Sequence, residues 1–440
     1  MPRRARAGGH DRASEKDARN AERTTRLPRT REVNYDEAVA WLYATQLHGI
    51  QLGLENIQRL TDALGIRVAA PEAPKFLHVA GTNGKGSVCA MLDACCRSAG
   101  LKTGLFTSPH LVTFRERMRI NGEMISEDEV AAGLTEIRAL VEQWDHAPTF
   151  FEITTALALA WFQQRGVEVV VLETGLGGRL DATNVVTPAV SVLTRIDLDH
   201  QQWLGDSLPA IALEKAGIIK PGVPVVTGPQ DDEVRVVLVQ IAMWRGAELN
   251  FVATPLRGVE IALAGSHQRW NAALALHALE LADLGISGEA VVAGLRTVEW
   301  PGRFQQITPR VVLDGAHNPA SARRLAETWR EVFGDQRATL ILGVLQDKDV
   351  RGICEALLPI AGRIIALPVQ NPRSATPQEI CRAIGEVAPR QECIAVRDFP
   401  AALRIAESMG RRVLLTGSLF LVGEALAHFQ ARGTLEVSAQ

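Results

Sequence analysis

The chain has 440 residues, with 47 Lys+Arg against 50 Asp+Glu for a net charge of −3, and 47% hydrophobic content. At roughly 150 residues per domain this length holds two or three cores, and the ordinary composition excludes a fibrous repeat or wholesale disorder. The near-neutral balance argues against bulk binding to nucleic-acid phosphate, and no apolar run reaches the roughly 18 residues of a membrane helix. Six cysteines without a C-x-x-C pair read as reduced thiols in a cytoplasmic protein.

Residues 1–32 carry Arg3, Arg4, Arg6, Arg12, Arg19, Arg23, Arg26, Arg29 and Arg31 and almost no large apolar side chains. Such a stretch reads as a basic, disordered extension or a consequence of start-site choice. A nucleic-acid-contacting tail or a transit peptide is the alternative, and a secretory signal is disfavoured because the apolar region is missing. Helical spacing follows over 36–65, with breaks at Gly49 and Gly53. Next come a strand at Phe76–Ala80, a glycine-rich turn and a helix at Val88–Ala99. Strands are expected at Val167–Leu172, Ala189–Leu193 and Val223–Thr227, with helices near 153–165, 207–216 and 271–284. A second β/α series follows Pro301-Gly302. Its strands are Val311–Leu313, Thr339–Leu342, Arg363–Leu367 and Val413–Thr416, separated by helices near 320–333, 350–358, 376–386 and 400–408. The alternation predicts α/β architecture with mostly parallel sheets. It divides the chain into an extension at 1–32, a first α/β domain at 33–297 and a smaller α/β domain at 298–440.

The strongest local signal is Gly81-Thr82-Asn83-Gly84-Lys85-Gly86-Ser87, after a strand and opening a helix. Glycines let backbone N–H groups turn inward, the helix N-terminus adds partial positive charge, Lys85 adds a full one, and the Ser87 hydroxyl suits Mg²⁺. Gly86 separates Lys85 from Ser87, so the spacing departs from the usual phosphate loop. The loop alone implies ATP or GTP and names no reaction.

The loop resembles that of folylpolyglutamate synthases and dihydrofolate synthases, which are relatives of the Mur ligases. Further motifs continue the likeness in order: Thr107-Ser108-Pro109-His110-Leu111, Phe151-Glu152, Glu173 through Asn184, Asp197 through His200, Glu214-Lys215-Ala216-Gly217, Pro301-Gly302-Arg303, Asp314 through Pro319, Asp347-Lys348-Asp349 and Thr416-Gly417-Ser418. The resemblance covers about 34–425. It implies an N-terminal phosphate-loop ATPase domain of the Mur-ligase kind and a C-terminal Rossmann-like ligase domain.

The resemblance also implies roles. Gly81–Ser87 hold the ATP phosphates, Asn271 lies on the adenine side, Asp314 takes the ribose hydroxyls and Arg303 reaches the γ-phosphate. Ser87 and Glu152 share one Mg²⁺, and His200 contacts a second. Read without the resemblance, Glu152 is an ordinary acid at a helix N-terminus and Lys215 a solvated helix lysine. The family carries a carbamylated lysine at the position of Lys215, and carbamylation needs an amine neutralised by burial or nearby cations. Ser108 and Pro109 belong to a substrate loop, while His317 and Ser418 lie toward glutamate. Phe420 stands where the family often has Tyr, which weakens any claim for a hydroxyl there. Lys348 has no assigned role.

The implied reaction joins L-glutamate both to dihydropteroate and to the γ-carboxylate of reduced folates. It runs through an acyl phosphate and releases ADP and phosphate. K⁺ is a further cofactor consistent with the family. The expected protein is a monomer that uses small-molecule substrates and binds neither nucleic acid nor membrane. Chain extension alone, a Mur-type peptidoglycan ligase and a non-catalytic nucleotide-binding regulator are the alternatives. A kinase releasing a stable phosphoryl product is a further one.

Overall fold

The computed structural model describes residues 33–48, 53–69, 71–430 and 436, so the extension at 1–32 and the break at Gly49 lie outside the described residues. The first sheet is built from β1 (Lys75–Ala80), β2 (Thr103–Phe106), β3 (Met118–Ile120), β4 (Glu123–Met124), β5 (Val169–Glu173), β6 (Val190–Leu193), β7 (Val225–Thr227) and β8 (Leu249–Phe251). Its order is β4-β3-β2-β5-β1-β6-β7-β8. From β2 to β8 every pairing is parallel; only β3 and β4, at one edge, run antiparallel to their neighbours.

The central strands are apolar on both faces because both faces are covered. On one side, the helices Tyr35–Ala44, Glu55–Ala63, Glu127–Val141 and Phe150–Gln164 close a core around Phe76, Phe106 and Phe162. On the other, the helices Lys85–Ser98, Ser266–Leu281 and Gly288–Thr297 pack on Leu77, Val79, Val171 and Val192.

The second sheet comprises β9 (Gln305–Thr308), β10 (Val311–Leu313), β11 (Ala338–Leu342), β12 (Ala361–Ala366), β13 (Cys393–Ala395) and β14 (Val413–Thr416), in the order β13-β12-β11-β14-β10-β9. All of its pairings are parallel except that of β9 with β10. It too is covered on both faces, around Trp329 on one side and Phe399 on the other. No helix among the described residues is long and apolar enough to cross a membrane.

One expectation is corrected. Cys381 and Cys393 form a disulfide, with Cα atoms 5.5 Å apart, while Cys89, Cys95, Cys96 and Cys354 are free and buried. The bridge ties the helix Pro377–Val387 to β13. Its partners lie 12 residues apart, a spacing that matches no short cysteine motif.

Candidate active site

Ligands of open α/β sheets bind beyond the carboxyl ends of the strands, where the strand order reverses. In the first sheet β1 lies between β5 and β6, and three functional segments leave that edge: the phosphate loop after β1, the glycine-rich loop after β5 and the Arg195–His200 segment after β6. The second sheet faces them with Arg303, Asp314, His317 and Lys348. Both sheets therefore line one cavity of about 460 Å³.

The phosphate loop opens the helix Lys85–Ser98. Gly84 is the N-cap at φ 95°, and an added Cβ there would lie 2.9 Å from Asn271 Oδ1. At Gly86 an added Cβ would meet the Trp300 indole at 2.6 Å, so the segment entering the second sheet rests directly on the loop. Ser87 Oγ accepts from Gln268 Nε2 at 3.3 Å, and Gln268 Oε1 accepts from Asn271 Nδ2 at 2.9 Å. Asn83 Nδ2 donates to Asp197 Oδ2 at 2.9 Å.

Two amines converge on one carbonyl. Lys85 Nζ donates to Gly81 O at 3.1 Å, and Lys215 Nζ donates to the same oxygen at 2.9 Å. Lys215 is buried, contrary to a solvated helix lysine. Burial, reinforced by Lys85 and opposed by Asp199 and Asp181, brings its pKa down to about 7. Its helix, Leu208–Ala216, is tied to the glycine-rich loop by Arg179 Nη2 on Glu214 Oε1 at 2.9 Å.

Within that loop Asp181 works as a local organiser. Its oxygens accept from Leu176 N at 2.8 Å, from Thr183 N at 3.0 Å and from the Thr183 hydroxyl. Glu173, the last residue of β5, is the residue whose importance sequence reasoning missed. Its carboxyl is buried and pushed up to about 7; burial raises it, while Lys85, the Ser108 N–H at 3.4 Å and Arg303 lower it. The signal available in the sequence was its position as an acid at the carboxyl end of an otherwise apolar strand.

Glu152 sits elsewhere on the same cavity wall. Its Oε2 accepts from Thr149 N at 2.7 Å and Thr149 Oγ1 at 2.8 Å, while its own N–H donates to Thr149 Oγ1, forming a capping box for the helix Phe150–Gln164. Burial pushes its carboxyl up; the side chains acting on it, besides Thr149, are Asn56 and Glu55 of the helix Glu55–Ala63. This end of the cavity is aromatic. Phe150 and Phe151 line it together with Leu176 and Leu180. Tyr43 stacks on Phe150 with centroids 5.4 Å apart, and Phe106 lies 5.9 Å from Phe151. Arg117 is buried beside Phe150 and donates from Nε to His110 Nδ1 at 2.9 Å, fixing the loop that contains Ser108 and Pro109. The Ser108–Pro109 peptide is cis.

From the second sheet, Asp314 Oδ2 accepts from Phe304 N and Oδ1 from Ala316 N, at 2.8 and 2.9 Å. His317 Nδ1 pairs with Gly315 O at 2.8 Å, leaving Nε2 to face Asp199 at 3.7 Å. Ser418 caps the helix Leu419–Phe429, and its hydroxyl accepts from Phe420 N at 3.1 Å. Asp199 is held well below the usual carboxylate range: burial works against this, and His317, His200 and Lys348 outweigh it. Ser87, Glu152, His200, Lys215, Arg303, Asp314, His317 and Ser418 all line the cavity. Among the described residues no three of His, Cys, Asp or Glu cluster closely enough to form a metal cage by themselves.

Residues 79–239 match the Mur ligase middle domain, and residues 302–419 match the Mur ligase glutamate ligase domain. The Bacillus subtilis dihydrofolate synthase/folylpolyglutamate synthase is 34% identical over 425 residues, covering 89% of this chain and 98% of the relative. A Mycobacterium tuberculosis folylpolyglutamate synthase, solved with ADP and AMPPCP, superimposes with a TM-score of 0.82 at 32% identity, covering 92% of this chain and all of that one. Escherichia coli FolC, solved with DHPP and ADP, gives 0.82 at 33% identity, with coverage of 90% and 98%. Two matched Mur ligase domains and relatives aligned over nearly their whole length show that the chain belongs to the dihydrofolate synthase/folylpolyglutamate synthase family of Mur ligases.

Proposed function

We propose that the protein uses ATP to ligate L-glutamate to dihydropteroate and to the γ-carboxylate of reduced folates. The observation that carries this reading is the single cavity joining a phosphate loop to an aromatic chamber, lined by both sheets. A flat bicyclic ring packs between Phe150, Phe151, Leu176 and Leu180. Its aminopyrimidinone edge is a row of N–H donors, which the Glu152 carboxylate can accept. The acceptor's carboxylate then points toward Lys85.

ATP lies with its phosphates on Gly81–Ser87, its adenine toward Asn271 and its ribose toward Asp314. The acceptor carboxylate oxygen attacks the γ-phosphorus, forming the acyl phosphate and releasing ADP. Lys85 and Arg303 hold the charge on the transferring oxygens. The glutamate amino nitrogen next attacks the acyl carbon, the carbon–oxygen bond to phosphate breaks, and the amine proton is lost to solvent. His317 and Ser418 orient the incoming glutamate.

Glu173 and the Ser87 hydroxyl, both on the cavity wall, would supply oxygen donors of the kind Mg²⁺ accepts when phosphates and waters complete its shell, and His200 would serve a second ion. Mg²⁺ held there would neutralise phosphate charge. Glu152 has less support as a ligand, since its carboxylate is committed to a helix cap beside Glu55. Lys215, buried with a pKa near 7, meets the requirement for a carbamate, because its neutral amine can add CO₂.

The test is ADP release with ATP, Mg²⁺ and L-glutamate, in parallel with dihydropteroate, tetrahydrofolate or no acceptor. Glutamylated product from both acceptors is the expected result. Product from one acceptor assigns the single activity. ATP binding without product from either rejects the folate reading.

A further inference from the structure

Asp347-Lys348-Asp349 plays no part in the mechanism above, yet Lys348 makes a buried ion pair with the opposite sheet. Its Nζ lies 2.6 Å from Asp199 Oδ1, and each side chain is 8% exposed. Asp199 belongs to the segment after β6 in the first sheet, and Lys348 follows β11 in the second. The same carboxylate accepts from Asn318 Nδ2 at 3.3 Å, with His317 Nε2 at 3.7 Å and its neighbour His200 at 3.9 Å. One acid of the first sheet thus collects three residues of the second.

A further tie lies alongside. Asn318 and Asn83 exchange amide hydrogen bonds of 3.1 and 3.4 Å. Asn318 is also the N-cap of the helix Pro319–Phe333, accepting from Ser321 N at 2.9 Å, so its amide is oriented by that helix. The phosphate loop is therefore in direct contact with the first turn of a helix in the second sheet's domain.

An ion pair at a seam between two sheets is shielded from water only while the seam is shut. Opening it rehydrates each ion separately, and removing one partner leaves the other buried without compensation. We propose that Asp199 and Lys348, supported by Asn318, are positioning residues that latch the second sheet over the phosphate loop and so keep water from the acyl phosphate until glutamate attacks. This rests on the ligase reading. The productive route forms a carbon–nitrogen bond and breaks the carbon–oxygen bond to phosphate. In the leak, water's oxygen attacks the same carbon, the same bond breaks, and the acceptor carboxylate and phosphate are regenerated. Each leak consumes one ATP and yields no amide.

The readout is the ratio of ADP to glutamylated product, using the full chain with ATP, Mg²⁺, L-glutamate and the acceptor that the wild type uses. The wild type should give a ratio of about one, as the stoichiometry of acyl-phosphate ligation requires. Asp199→Asn and Lys348→Met should each raise it about tenfold or more, because the shut site no longer excludes water. AMPPNP affinity should change by less than about threefold, since the phosphate contacts remain. Lys348→Arg, which keeps the charge, should hold the ratio near that of the wild type. A ratio that stays near one in the folded Asn and Met variants, or a leak in the Arg variant equal to that of Met, overturns the latch. Small-angle scattering of the AMPPNP-bound chains tests closure without any ligation. The wild type should be more compact than Lys348→Met, and equal radii of gyration overturn the proposal. Absence of amide from the wild type would sink the ligase reading alone, and the scattering comparison would still decide the latch.

Discussion

Glu152 and Glu173 are buried acids on the wall of one cavity, and their surroundings give them opposite characters. Glu152 begins a helix, closes a capping box with Thr149 and stands beside Glu55 and Asn56 at the aromatic end. Glu173 ends a strand and stands among Lys85, Arg303 and the Ser108 N–H. Residue type and burial are the same in both cases; the neighbours differ. On the proposed reading, the carboxylate among cations at a strand's carboxyl end serves phosphate and metal chemistry, and the one that caps a helix beside aromatic rings reads the hydrogen-bonding edge of a flat ligand.

The largest expected effect lies at the cationic end. Lys85→Ala and Glu173→Gln should each lower ligation by about a thousandfold or more, the scale seen when a main transition-state charge contact is lost. Calorimetric titration with AMPPNP should show that Glu173→Gln also removes the Mg²⁺ dependence of nucleotide binding. If Glu152→Gln removes that dependence instead, the two roles are exchanged and the metal belongs with Glu152.

Next comes Lys215→Ala, expected to lose about a hundredfold in turnover, a loss of the size that one positioned catalytic group accounts for. Added acetate or formate should return part of the rate by supplying the missing carboxylate, and a variant with full activity would remove the carbamate from the mechanism. The sign of the pH dependence follows from the lysine's pKa of about 7, against an ordinary 10.5. The neutral amine, the form that adds CO₂, grows as pH rises through 7. Protein depleted of CO₂ should therefore recover activity faster at pH 8 than at pH 6 when dissolved CO₂ is held equal at the two pH values; equal recovery at both would contradict a titrating Lys215.

Much of this site is legible in the amino-acid sequence. The phosphate loop announced itself through glycine spacing between a strand and a helix. The strands Val311–Leu313 and Val413–Thr416 have the bounds the sequence predicts because each is a short, mainly apolar run bounded by polar or glycine residues. Other elements escaped. β3, β4, β8 and β13 are two to three residues long and lie at or near sheet edges, so they carry too little alternation to register. The helix Glu127–Val141 was readable in principle, since Ser126 and Glu129 spell a capping box. Pairings distant in sequence left no local trace: Lys348 with Asp199, Lys215 with Gly81 O, and Cys381 with Cys393 depend on how β/α units stack. Thr149-x-x-Glu152 is legible as a helix start, and the structure shows the capping box it closes.

Glu152→Gln sharpens the contrast with the smallest effect. The amide keeps an oxygen that can still accept from Thr149, so the cap survives and the loss of stability should stay below about 1 kcal/mol, the usual scale for an N-cap. What disappears is a charged acceptor facing the aromatic chamber. The acceptor's KM should rise about tenfold while the KM for ATP holds, since a hydrogen bond to a charged group contributes about 1.5–3 kcal/mol and a neutral one less. Ala at the same position removes both functions and should lower the melting temperature as well. Steady-state kinetics separates the cases. A selective rise in the acceptor's KM places ring recognition at Glu152. A fall in kcat with both KM values unchanged would instead mean that the acid acts in the chemical step, and the division between the two ends of the cavity would fail.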